Sequence, residues 1–149
     1  MVHFLEITVD KFTFKVATDR MYTRAGLWAK HETGRVWIGL TDFLQQRSGD
    51  VAFAEVKPKG TKVSASDEIA VIETIKVDTI LDSPVSGTVI EVNPKMDDQP
   101  EVLNQDPYGE GWMAVIEAED WQADMENLLD PDAYFKIMKR QAEEEAAKL

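Results

Sequence analysis

The sequence has no cysteine at all, which excludes disulfides and thiolate metal sites and fits a reducing compartment. Histidine is almost as scarce. Only His3 and His31 could act as bases near neutral pH, and neither stands in a catalytic constellation. No glycine-rich phosphate loop follows a strand, and no His or acidic spacing suggests a metal site. No apolar run approaches the roughly 20 residues that cross a bilayer. The opening stretch MVHFLEITVDKF is broken by His3, Glu6 and Asp10, so it does not read as a secretory signal. Positive charge is short: 16 Lys and Arg stand against 28 Asp and Glu, a net charge of −12. Such a surface repels the phosphates of nucleic acid. It can be steered onto basic docking surfaces of partner proteins, or it can serve solubility alone. These absences lead to the expectation of a single cytoplasmic domain, without a membrane or nucleic-acid partner and without an active site of its own.

What is present alternates. Phe4, Ile7 and Val9, then Phe12, Phe14 and Val16, predict two short strands around Asp10-Lys11, the form of a hairpin. Further strands are expected at Arg35–Leu40, 51–57, 70–72, 88–93 and 112–116. Thr41 reads as the N-cap of a short helix that Gly49-Asp50 ends. Pro58-Lys59-Gly60 is a turn, and Pro100 to Gly111 reads mostly as loop. Two helices close the chain: Asp120 caps one over 120–129, and Asp130-Pro131 starts the other, with Tyr134, Ile137 and Met138 on one face. A weak internal repeat relates Gly49-Asp50-Val51 with Glu55-Val56 to Gly87-Thr88-Val89 with Glu91-Val92, on either side of Lys76.

Lys76 lies in Glu73-Thr74-Ile75-Lys76-Val77, where strand residues precede and extended residues follow, so the chain reverses near it. A lysine at a hairpin tip holds its amine in water. Gly60 lies 16 residues before Lys76 and Gly87 lies 11 after it, places where glycine can supply turn conformations.

This spacing resembles the biotinyl and lipoyl carrier domains. The longer segments narrow the likeness to the H protein family of the glycine cleavage system. They are Tyr22-Thr23, VWIGLTD at 36–42, GDVAFAE at 49–55, ETIK at 73–76, SPVSGTVIEVN at 83–93 and DPYGEGWM at 106–113. Biotin carriers usually set methionines on both sides of the lysine; here stand Ile75 and Val77. The resemblance implies a mainly β fold, a flattened β-barrel or sandwich hybrid of two pseudo-symmetric halves with short helices and C-terminal helices. It implies an extension at 1–20, a carrier domain at 21–118 and packed helices at 119–149. It further implies lipoic acid on Lys76 as a swinging arm, Glu73 as a recognition element for a lipoate ligase or other lipoylating enzyme, and Gly60 and Gly87 as carrier turns.

The chain departs from the family where H proteins shelter an aminomethyl cargo. Family positions for Ser, Glu, His and Asp fall on Ala25, Leu27, Phe43 and Ile80, all apolar. A protonated amine leaving water needs an acceptor, and going without one costs several kcal/mol. By this resemblance the four residues would line an apolar arm cleft suited to a sulfur-bearing cargo. The chain then looks like H-like lipoate-binding proteins of sulfur oxidation, whose partners would be a heterodisulfide-reductase-like complex and dihydrolipoamide dehydrogenase. The alternatives are an H protein working with the glycine cleavage P, T and L proteins, and an unmodified H-like scaffold.

Overall fold

The computed structural model describes residues 2–148; Met1 and Leu149, at the outer ends of the first and last expected segments, lie outside the described residues. The expected hairpin forms from β1 (Phe4–Val9) and β2 (Phe12–Ala17), a two-stranded antiparallel sheet that turns at Asp10, with φ 57°. A six-stranded sheet is built from β3 (Met21–Tyr22), β4 (Leu27–Glu32), β5 (Arg35–Leu40), β7 (Lys62–Val63), β10 (Gly87–Val92) and β11 (Trp112–Ala118). Its order is β3-β4-β5-β11-β10-β7. A three-stranded sheet, in the order β6-β8-β9, holds β6 (Val51–Val56), β8 (Glu68–Thr74) and β9 (Asp78–Asp82). The mainly β expectation holds as a sandwich; among the described residues the sheets stay separate and no closed barrel is formed. The two arms of the sequence repeat, β6 and β10, fall in different sheets.

The strand β4 has no alternating signature because it is buried on both sides. Leu27 and Ala29 join the main core with Ile38, Leu40, Ile69, Ile72, Met113 and Ile116, while Trp28 points into a second cluster. That cluster gathers Phe14 and Val16 of the hairpin, Tyr22, Phe43, and Tyr134, Met138 and Ala142 of the last helix. The helices are α1 (Asp42–Ser48), α2 (Lys95–Asp98), α3 (Val102–Gln105), α4 (Trp121–Met125) and α5 (Pro131–Ala147). Thr41 caps α1 by accepting from the Leu44 amide, and Asp130 caps α5 by accepting from Ala133. The buried stripe of α5 is Tyr134, Met138 and Ala142; Ile137 is only half-buried beside it. The helix expected over 120–129 ends early, because Leu129 must reach β3, where its backbone exchanges both hydrogen bonds with Tyr22. The stretch read as loop after Pro100 contains α3. Among the described residues no helix is long and apolar enough to cross a membrane.

The hairpin is fastened rather than loose. Tyr108 Oη donates to the Lys15 carbonyl at 2.8 Å, the Lys15 amide donates to Asp42, and Gln46 Nε2 donates to the Thr13 carbonyl at 2.9 Å. Tyr22 Oη also ties the hairpin by donating to Ala17, and the third tyrosine hydroxyl, that of Tyr134, donates to Thr41 Oγ1. Burial raises all three phenol pKa values, that of Tyr134 to about 12 against the pull of its bond to Thr41. An unfolded phenol titrates near 10. The stability held by the neutral phenols is therefore intact below about pH 10 and is lost as pH climbs toward 12. Tyrosinate absorbance should rise together with loss of the near-ultraviolet dichroism; ionisation well ahead of unfolding would contradict this burial.

Candidate functional site

Lys76 sits at the tip of the β8–β9 hairpin, as its sequence context implies. The strands pair through Glu73 and Asp78, leaving Thr74 to Val77 to make the turn. The Thr74 amide donates to the Val77 carbonyl at 3.0 Å. The Thr74 hydroxyl closes the turn a second time, donating to that carbonyl and accepting from the Val77 amide. Ile75 is 96% exposed and Lys76 stands out beside it. Among the described residues no carboxylate lies within ion-pair distance of its Nζ, so the amine is free to be acylated. Thr74 was invisible as a positioning residue in the sequence; only its place opposite Val77 in a closed turn reveals it.

The lysine stem leans back over the end of α1. Gly49, with φ 86°, ends that helix, and a methyl added there would lie 3.7 Å from the Lys76 Cε. This glycine, not one of the two singled out by spacing, adjoins the lysine. Asn104 of α3 holds the corner: its Nδ2 donates to the Gly49 carbonyl at 3.0 Å and its Oδ1 accepts from the Val51 amide at 2.9 Å.

Beside the stem opens a cleft of about 280 Å³ that Lys76 itself lines. Val9, Phe12 and Phe14 of the hairpin form one wall, Phe43 of α1 and Ala142 of α5 the floor. Arg47 and Glu145 close the rim with an ion pair of 2.8 Å between α1 and α5. The carboxylates among the lining residues are Asp10, in the exposed turn, and Glu145, already held by Arg47.

Of the four residues expected to line an arm cleft, only Phe43 does so. Leu27 is 1% exposed in the main core, directed there by its pairing with Leu40. Ala25 is exposed in the turn between Thr23 and Gly26. Ile80 alternates with buried Leu81 and so points outward from the three-stranded sheet, 62% exposed. Glu73 is exposed at the end of β8, with Phe53 and Asp78 as its cross-strand neighbours. Gly60 occupies a turn with φ 94° in open space. Gly87 is not a turn residue: it begins β10, paired with Ala118 and Val63, and a side chain there would run into the Glu117 carbonyl. Of the two histidines, His31 packs and bonds through its ring, whereas His3 is exposed and contributes its backbone carbonyl. His31 stacks on Trp121 with ring centroids 4.8 Å apart and accepts from the Gly34 amide, and the His3 carbonyl accepts from Thr18.

Residues 20–141 match the family model described as glycine cleavage H-protein. The chain belongs to this family. A probable glycine cleavage system H protein of Aeropyrum pernix is 37% identical over 139 residues, covering 93% of this chain and 96% of that one. One from Haloarcula marismortui is 39% identical over 122 residues, 82% and 95% of the two chains. The crystal structure of a glycine cleavage system H protein from Mycobacterium marinum superposes with a TM-score of 0.74 at 29% identity, covering 80% of this chain and 95% of that one. Proteins of the glycine cleavage H-protein family are lipoyl carriers rather than catalysts, and lipoyllysine is their cofactor. An exposed lysine on a closed turn, with no ion-pair partner among the described residues and an apolar cleft beside it, fits that group chemically.

Proposed function

We propose that Lys76 bears the lipoyl group, joined as an amide through Nζ, and that the chain carries cargo between partner enzymes as the H proteins do. The observation that carries this reading is the free amine of Lys76 at the tip of a doubly closed turn. Bound there, lipoate would supply a dithiolane that exchanges disulfide, dithiol and thio-linked forms. The protein's own part is to hold the amide outward through Thr74, to support the stem at Gly49, and to offer Glu73 to the lipoylating enzyme. A lipoate ligase is then the first partner, and the P, T and L proteins of glycine cleavage are the working ones, with the cytoplasm as the place of action.

The relatives reverse the order that the apolar substitutions suggested, since they bear the glycine cleavage name. One observation still favours the sulfur reading, with a heterodisulfide-reductase-like complex and dihydrolipoamide dehydrogenase as partners. The cleft beside Lys76 has an aromatic and aliphatic floor, and its carboxylates lie at the exposed turn and in the Arg47 ion pair. A cationic amine would find no carboxylate on the aromatic floor itself, only Asp10 and Gln46 at its edges, at a cost of several kcal/mol if fully desolvated on the floor.

The test takes the chain after incubation with lipoate and a ligase, with Lys76 located by peptide mass. It is then offered to a glycine cleavage P protein with glycine. Loading of the amine cargo is the expected result. A lipoylated chain that the P protein leaves unloaded would overturn the glycine cleavage reading in favour of the sulfur one. A chain that no ligase lipoylates would overturn both, leaving the scaffold alternative.

A further inference from the structure

Two faces of α5 are already accounted for. Tyr134 and Met138 go to the core, and Ala142, Glu145 and Ala146 line the cleft beside Lys76. Its remaining face borders a second hollow, of about 480 Å³. Lys136, Ile137, Arg140, Gln141 and Glu144 line it from the helix, and Arg24 reaches it from the turn between β3 and β4. Three cations therefore share one concavity in a chain whose net charge is −12. Lys136 and Arg140 stand one helical turn apart, a spacing at which like charges disfavour the helix. Among the described residues none of the three lies within ion-pair distance of a carboxylate. Glu144, one turn beyond Arg140 and inside the hollow, does not pair with it. Arg24 also borders a neighbouring cavity, but the carboxylate there, Asp124, accepts from the Ser86 amide.

We propose that the hollow between α5 and the β3–β4 turn binds the phosphate group of a small molecule. Three cations against one carboxylate leave a local charge of +2. A phosphate monoester carries about −1.5 to −2 near neutral pH, so the two charges match. Charges more than about 8 Å away are largely screened at physiological ionic strength. A small anion thus meets the local excess, whereas a large acidic partner would also meet the rest of this surface and be repelled. Arg24 and Arg140 can each offer two parallel donors to phosphate oxygens, and Lys136 adds a point charge. The volume falls within the roughly 300–1,000 Å³ of small-ligand sites, so it holds more than a bare phosphate. Half-buried Ile137 and the Gln141 amide face what the phosphate is attached to. A bound ligand would tie α5 to the β3–β4 turn, because its cationic partners come from both. The site is separate from Lys76 and does not depend on lipoylation.

The experiment titrates the full chain with glucose 6-phosphate and, in parallel, with inorganic phosphate, sodium chloride keeping the ionic strength constant. Backbone amide resonances report binding. Saturable shifts at Arg24, Ile137, Arg140 and Gln141 are expected; tighter binding of the ester would identify a phosphorylated metabolite as the occupant, and tighter binding of inorganic phosphate the free ion. Arg140→Gln should weaken binding about tenfold, the loss of one charge-assisted contact. Glu144→Gln should tighten it, a gain that disruption of the helix would not produce. Lys139→Gln removes the same charge from the same helix outside the hollow and should change the affinity far less. Shifts that never saturate, or equal losses for Lys139→Gln and Arg140→Gln, would overturn the proposal by reducing the site to a diffuse ion atmosphere. Tighter binding of a triglutamate peptide than of either phosphate would overturn it in favour of an acidic protein segment.

Discussion

Lys76→Arg is expected to abolish lipoylation completely, with no lipoyl mass increment on the chain under conditions that fully modify the unaltered protein. The change keeps a long, positively charged side chain at an exposed site with no ion-pair partner among the described residues, so folding should hardly notice it. Surface replacements of this kind fall within about 0.5 kcal/mol. What is lost is chemistry: the guanidinium stays protonated and offers no free amine pair to form the amide. Lysine can lose a proton at the moment of attack. The same sample should therefore show an unchanged thermal midpoint and a vanished modification. An increment persisting on Lys76→Arg would place the lipoyl group on another lysine. Glu73→Gln should act more mildly, slowing the ligase without blocking it, because Glu73 meets solvent beside the lysine rather than touching the reacting amine.

The lysine was legible because a turn between extended runs is a local property, written in neighbouring residues. Its surroundings were not. The cleft joins residues near positions 9 to 14, 43 to 47 and 142 to 146, and no local pattern tells which of these meet around Lys76. The resemblance pointed to Ala25, Leu27, Phe43 and Ile80 as one pocket, yet strand register scatters them. Leu27 faces the core opposite Leu40, Ile80 faces solvent beside buried Leu81, and Phe43 alone reaches the cleft. A one-residue step along a strand reverses the face a side chain meets, so matching a position in sequence does not match its surroundings.

The fold divides in the same manner. Alternation found β1, β2 and β6, and cap chemistry at Thr41 and Asp130 found the starts of α1 and α5. The strand β4 escaped because Leu27, Trp28 and Ala29 are buried in succession, one core lying on each face. A strand covered on both sides has no polar face to mark its period. The short helix α3 escaped for a different reason. Beside the core residues Val102 and Leu103 it carries Asn104, whose bonds to Gly49 and Val51 are formed across more than fifty residues of sequence.

Gly87→Ala separates what spacing suggested from what packing requires. If Gly87 were needed for turn geometry, its replacement should cost no more than Gly60→Ala, where φ is 94° and an added methyl meets nothing. Instead Gly87 lies in β10, between β11 and β7, outside the left-handed region. A methyl there overlaps the Glu117 carbonyl and comes within 2.8 Å of the Ile116 Cγ2. Neither neighbour can retreat easily. The carbonyl belongs to the strand backbone, and the adjoining chain is tied by Ala118 donating to Gly34 and Glu119 donating to Ser86. Overpacking of this kind costs about 3 kcal/mol, whereas a left-handed glycine in open space costs about 1 kcal/mol. For a chain of 149 residues the first figure corresponds to a fall in Tm of roughly 6–12 °C, about three times that expected for Gly60→Ala. Thermal melts followed by circular dichroism decide the matter. Equal losses for the two variants would restore the turn reading of Gly87, and a much larger loss for Gly87→Ala would show that the glycine is kept so that β10 can close against β11.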